Sequence, residues 1–196
     1  MAWQRTQTQF FALPVSALWE VLRDPALVPQ WNLAIAHLQP HTYPAVAGVK
    51  LDLVPAGEPL GAIHAKTAPP AVITRADEGS CLTWRQQQPA GYLLVSWSLR
   101  EVPGGCELTQ MVSVAGLASA LFAETAAKPI AARFAENCAR LYTLAGGADT
   151  QTLRVVIAGG NGFLGSRAAA DLHCRGHQVT ILTRSERANS PYIQLN

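Results

Sequence analysis

The sequence has little of what usually assigns a chain quickly. Its four cysteines, Cys81, Cys106, Cys138 and Cys174, form no Cys-x-x-Cys pair and have no histidine at a zinc-finger interval. That spacing excludes a disulfide scaffold and the common structural zinc sites, so the thiols read as reduced core residues and no metal ligand is assigned. No apolar run approaches the roughly 18 residues of a membrane span, and the opening MAWQRTQTQF lacks the apolar stretch of a secretion signal. The chain is therefore expected to be cytoplasmic. Charge is scarce as well, at 14% of residues and a net +2. Residues 1–150 carry 10 basic against 11 acidic side chains and residues 151–196 carry 5 against 2, an excess too small for a nucleic-acid partner. No Ser/His/Asp or paired-carboxylate spacing stands out either. His37, His41 and His64 read as structural or exposed, Arg85 and Glu101 as facing each other or water, and no catalytic residue is assigned.

What the chain does have is apolar content, 49% of residues, enough for a real core. WQRTQTQFFAL reads as an edge or terminal strand running into Pro14. Ser16 then stands where it can cap a short helix whose apolar face is Leu18, Trp19, Val21 and Leu22. Asp24-Pro25 repeats the start signal for a second helix through Leu27 and Val28 to Trp31-Asn32. Between residues 33 and 114 the pattern has period two, as in VKLDLV and LLVSWSL. Turns at Ala47-Gly48, Glu58-Pro59, Pro69-Pro70, Glu78-Gly79, Pro89-Ala90-Gly91 and Pro103-Gly104-Gly105 divide it into about six antiparallel strands. Residues 116–145 return to helical spacing, with a stripe of Leu117, Leu121, Ile130, Phe134, Cys138 and Leu141 that Pro129 should kink or divide. Gly146-Gly147 ends that helix, which sets the organisation as 1–147, a linker at 148–152, and 153–196.

This order predicts an α+β fold in which a curved antiparallel sheet closes over the last long helix, an arrangement that often leaves a cavity between the two. VSALWEVLRDPALVPQWNLAI resembles the opening of START-like or polyketide-cyclase-like (SRPBCC) domains, and PGGCELTQ resembles their late hairpin. The resemblance spans residues 1 to about 147. It implies a helix-grip fold that binds a small hydrophobic or amphipathic ligand, with cyclase or dehydratase chemistry in some members. Trp31, Trp84, Trp97 and Phe134 are the candidate pocket residues.

The segment 153–196 reads differently. LRVVIAGG is a β-branched run ending in glycine, residues 163–174 are helical in pattern, and HQVTILTRS supplies a second buried strand. The glycines fit two registers, Gly160, Gly162 and Gly165 as GxGxxG or Gly159, Gly162 and Gly165 as GxxGxxG. In either register the physics is a tight turn and a helix amino terminus aimed at pyrophosphate. Gly162-Phe163-Leu164-Gly165, continued into VTILTRS, resembles the epimerase-like branch of the extended short-chain dehydrogenase/reductase superfamily over residues 153–188, with Ala158 where many relatives have threonine. The resemblance implies an incomplete Rossmann β-α-β unit in which Gly159, Asn161, Gly162, Phe163, Leu164 and Gly165 hold the cofactor. Thr183-Arg184-Ser185 favours NADP over NAD, because the Arg184 guanidinium can pair with a 2′-phosphate.

That superfamily's catalytic Tyr-x-x-x-Lys is absent. The only later tyrosine is Tyr192, and Asn196 is four residues on. The expected picture is a helix-grip binding module carrying a dinucleotide-binding unit that is cut short. One alternative is a fragment of an NADP-dependent epimerase or oxidoreductase whose START-like part presents substrate. Another is an interaction piece that completes its sheet with a second chain.

Overall fold

In WQRTQTQFF the odd-numbered residues turn inward and the even-numbered ones outward, the alternation of a strand with one face on a core. The computed structural model describes residues 3–39, 43–56, 69–88, 90–148, 153–184 and 190–195. His41, His64 and the turn signals at Glu58-Pro59 and Pro89 lie outside the described residues. Strand β1 (Trp3–Phe11) is followed by helices α1 (Val15–Leu22) and α2 (Val28–Trp31). Six strands come next: β2 (Ile35–Gln39), β3 (Lys50–Pro55), β4 (Ala71–Asp77), β5 (Cys81–Gln88), β6 (Gly91–Val102) and β7 (Gly105–Gly116). They form one antiparallel sheet in the order β1-β7-β6-β5-β4-β3-β2, so β1 lies at an edge, as its sequence suggests. Register shifts in β2–β3 and β4–β5 mark bulges, which bend strands and increase their twist.

Two local expectations about the helices need correction. Ser16 does not cap α1, because the N-cap is Pro14 and no side chain caps the helix. The second helix starts at Val28 rather than Pro25. The Asp24 carboxylate accepts from Ala26 N–H at 2.9 Å, and Leu27 N–H bonds to Asp24 O at 3.1 Å, so residues 24–27 are spent in turns.

Across the sheet lies the carboxy-terminal helical run: α3 (Ser119–Phe122), a π-helical turn (Ala123–Ala127), α4 (Lys128–Ala132) and α5 (Phe134–Leu144). Pro129 sits in the first turn of α4, where its missing N–H is least costly, and the wide turn precedes it. The run is divided, but the stripe fails at its start. Leu117 and Leu121 are 96% and 62% exposed, whereas Phe134, Cys138 and Leu141 are buried. Leu117 lies in the turn before α3 begins, and for Leu121 the π-helical turn shifts the helical phase, so residues in register before it fall out of register after it.

The joint between α2, β2 and α5 is polar and fully internal. Asn137 Oδ1 accepts from Leu33 N–H at 3.0 Å and its Nδ2 donates to Asn32 Oδ1 at 3.3 Å, while Asn32 Oδ1 also takes Ala34 N–H at 3.2 Å. Both asparagines are 2% exposed. Asn137→Leu strands the Leu33 amide and leaves Asn32 Oδ1 with the Ala34 N–H alone. It is expected to lower the unfolding free energy by about 1–3 kcal/mol, read from urea denaturation.

Residues 154–182 form a parallel unit, β8 (Arg154–Ala158), α6 (Phe163–Cys174) and β9 (Gln178–Leu182), and β10 (Ile193–Leu195) joins β9 in parallel. The two expected buried strands are covered on one side only. Val179 and Ile181 are buried beside Ala169 of α6, yet Val156 and Leu182 are 60% and 41% exposed, because one helix can cover only one face.

Helix α6 packs against the larger sheet's edge and α5. Ala12 N–H donates to Cys174 O at 2.8 Å, Gln9 Nε2 to Asp171 Oδ1 at 3.1 Å, and the His173 ring lies edge-on to Tyr142 and Tyr192. Cys174 is part of the main hydrophobic core. Among the described residues no helix is long and apolar enough to cross a membrane.

Candidate functional site

Strand alternation places Trp84 (β5), Val95 and Trp97 (β6) and Gln110 (β7) on the face that looks toward the helices. Trp31 meets them from α2. Its ring is 5.8 Å from that of Trp97 at 86°, and Trp84 is 4.9 Å from Trp97 at 66°. Three of the four sequence-predicted pocket residues thus form one edge-to-face cluster inside the grip, each at most 5% exposed. Phe134 is not part of this ring cluster; it lines a groove between β1, α5 and α6.

The cluster has unmet polar valence. The indole Nε1 atoms of Trp31 and Trp84, together with that of Trp19 on α1, are buried without an acceptor among the described residues, and Gln110 Oε1 is buried without a donor. Gln110 stands directly opposite Trp97 across the β6–β7 ladder, beside the ring that Trp31 and Trp84 also pack against. A buried polar group left unpaired costs about 1–3 kcal/mol. Sequence reasoning found the tryptophans but missed Gln110, whose position on the inward face of the alternating run CELTQMV was the available signal.

Among the described residues, the histidine and charged residues considered for catalysis are not brought together. His37 is exposed on β2, Arg85 is exposed and lies over the Tyr92 ring at 4.5 Å, and Glu101 is exposed near the end of β6. The thiols are unpaired and buried. Burial raises the Cys106 thiol to about 11 and pushes those of Cys138 and Cys174 well above the ordinary thiol value. They stay protonated at neutral pH and are poor nucleophiles.

The glycine-rich turn is tightly made. Gly159 has φ of +68° and its N–H bonds to Leu182 O at 3.0 Å; Gly162 N–H returns to Gly159 O at 2.9 Å. A Cβ at Gly165 would lie 2.5 Å from Gly159 O and 2.8 Å from Gly160 Cα, so the helix can approach the turn only with glycine there. Asn161 Nδ2 donates to Thr183 Oγ1 at 2.9 Å, joining the turn to the end of β9. Gly162 is the N-cap of α6 and offers no side-chain cap. Phe163 and Leu164 are 73% and 77% exposed, with the Arg167 guanidinium over the Phe163 ring at 4.7 Å, and Arg184 is exposed beyond β9.

Beside this turn lies a groove of about 710 Å³ that sequence reasoning did not anticipate. Its walls are the inner face of β1 (Arg5, Gln7, Gln9), residues 132–136, and the start of α6 from Asn161 to Arg167 with Asp171. Gln7 Nε2 donates to Ala131 O at 2.8 Å and ties β1 to α4.

No curated protein matches the sequence. Solved structures similar to the chain share its fold at low identity. Protein NE0264 of Nitrosomonas europaea is 14% identical with a TM-score of 0.53, over 73% of this chain and 94% of that one. A protein from Rhodobacter sphaeroides is 22% identical with a TM-score of 0.53, over 73% and 91%. The di-domain ARO/CYC StfQ of the steffimycin biosynthetic pathway is 18% identical with a TM-score of 0.52, over 74% of this chain and 50% of its own. The sequence profile of the "Polyketide cyclase / dehydrase and lipid transport" family matches residues 2–145, the stretch that builds the seven-stranded sheet and the helices laid across it. By that match the chain belongs to the polyketide cyclase/dehydrase and lipid transport family.

Proposed function

We propose that the grip binds a small amphipathic molecule with fused or aromatic rings and at least one oxygen, seated against the Trp31–Trp84–Trp97 cluster. The observation that carries this reading is the set of buried, unpaired groups around Trp97. Two indole N–H groups could donate to a hydroxyl or carbonyl of the guest, and Gln110 Oε1 could accept from a hydroxyl. Such a guest satisfies groups whose desolvation is already spent, while its rings replace indole contacts. The membership of StfQ in a biosynthetic pathway and the family's description agree with this ligand class.

The simplest probe with this chemistry is 1-naphthol, which has two fused rings and one hydroxyl. Calorimetric titration of the full chain is expected to give sub-millimolar binding, weakened roughly tenfold by Trp84→Phe, which keeps a ring and deletes the N–H. Equal affinity in the variant would sink the assigned contact.

A second reading, that residues 153–196 hold a dinucleotide such as NADP, has one specific support. The glycines lie between a strand and a helix of a parallel unit, and space above Gly159 is open while Gly162 meets only Gly159 O at 3.2 Å. Gly159 through Gly165 would cradle the pyrophosphate and Arg184 would meet the 2′-phosphate. Under this reading the chain is part of an NADP-dependent epimerase or oxidoreductase, with the grip holding the molecule to be presented.

A further inference from the structure

We infer that the 710 Å³ groove between β1, α5 and the start of α6 is a binding site for a phosphate ester of nucleotide size, built jointly by the family fold and the residues that follow it. The inference rests on the second reading above and goes further by assigning the other half of the site to β1 and Arg133.

Three guanidinium groups from three elements line the groove: Arg5 from β1, Arg133 between α4 and α5, and Arg167 from α6. Neither Arg5 nor Arg167 pairs with a carboxylate among the described residues, and Arg133 reaches Glu136 only at 3.9 Å. Both carboxylates in the walls have basic or amide partners, some of them in the groove itself. Asp171 takes Arg175 at 2.9 Å and Gln9 at 3.1 Å, and Glu136 faces Arg133 and Arg140. Into the same groove opens the first turn of the 12-residue helix α6, whose N-cap glycine leaves its amides without a side-chain acceptor.

Gln9 adds a fixed polar group to the groove wall. It is 8% exposed, and its Nε2 is committed to Asp171 and to Phe10 O, which fixes the orientation of the amide. An acceptor held in place beside unpaired cations suits a ligand that carries both phosphate oxygens and hydroxyl donors, as a nucleotide does. The volume is within the range that small-molecule ligands fill, about 300–1,000 Å³.

The test is calorimetric titration of the full chain with NADPH and, separately, with ADP, which distinguishes a dinucleotide from a mononucleotide. Wild type is expected to bind at least one of the two. Gly162→Asp should abolish that binding, and Arg5→Gln and Arg133→Gln should each weaken it about tenfold. Arg100→Gln, on the outer face with Glu107, should leave it unchanged. Circular dichroism of each variant verifies the fold. No binding of either nucleotide by wild type overturns the dinucleotide reading and this inference together. Binding lost in Gly162→Asp but within twofold of wild type in Arg5→Gln and Arg133→Gln overturns the joint groove alone.

Discussion

Trp97→Ala is expected to lower the unfolding free energy by about 3–5 kcal/mol, the range for removing a large buried aromatic. The side chain is 2% exposed and is the ring that both Trp31 and Trp84 pack against, so its removal leaves two indoles without their shared neighbour. The loss combines transfer free energy, the residual cavity and two edge-to-face contacts. Denaturation by urea, followed by far-ultraviolet circular dichroism so that the readout is not the deleted fluorophore, measures it. A loss below about 1 kcal/mol would mean that the cluster collapses easily, contrary to the packing described.

Gly165→Val is expected to release α6 from its place while leaving the seven-stranded sheet intact. A Cβ at this position meets the backbone of Gly159 and Gly160 at 2.5 and 2.8 Å, so neither contact can be relieved by turning a side chain. The smaller unit has little with which to absorb the strain, since among the described residues its separate buried cluster is Ala169, Val179 and Ile181. Cys174 reports the outcome because it is buried where α6 meets β1 and α5. In the wild type its thiol is protonated at pH 7.5 and inaccessible, and it should not react with a disulfide reagent until the chain is denatured. In Gly165→Val one thiol of the four is expected to react within minutes, with circular dichroism close to wild type. Unchanged reactivity would show that the turn tolerates the added side chain.

The sequence was most legible where one period ran uninterrupted. Residues 33–114 hold the six antiparallel strands expected of them, because alternation and glycine-containing turns are local signals. The stripe fails at Leu117 because the helix starts only at Ser119, and at Leu121 because nothing in the local sequence announces the π-helical turn at Ala123–Ala127. Strand β8 was expected to be buried because β-branched runs often are. Burial, however, depends on what lies over each face, and among the described residues α6 is the helix that covers this sheet.

The site divides in the same way. The tryptophans stood out as large apolar groups, but their ring contacts come from α2 meeting β5 and β6, which are far apart in the chain. Arg5, Gln7 and Gln9 share a face with Phe11, so the polar character of that inner face could be read from WQRTQTQFF. What it faces could not, because Arg133 and Arg167 arrive from distant positions.

The most direct test of the account is the indole N–H region of a nitrogen-15 correlation spectrum, recorded as 1-naphthol is added. Five tryptophans give five signals, assignable by single Trp→Phe variants. The account predicts that the Trp31 and Trp84 signals move together and saturate, while that of Trp3, on the edge strand, stays in place. Movement of the Trp3 signal alone, or no movement at naphthol saturation, would contradict a ligand seated in the grip.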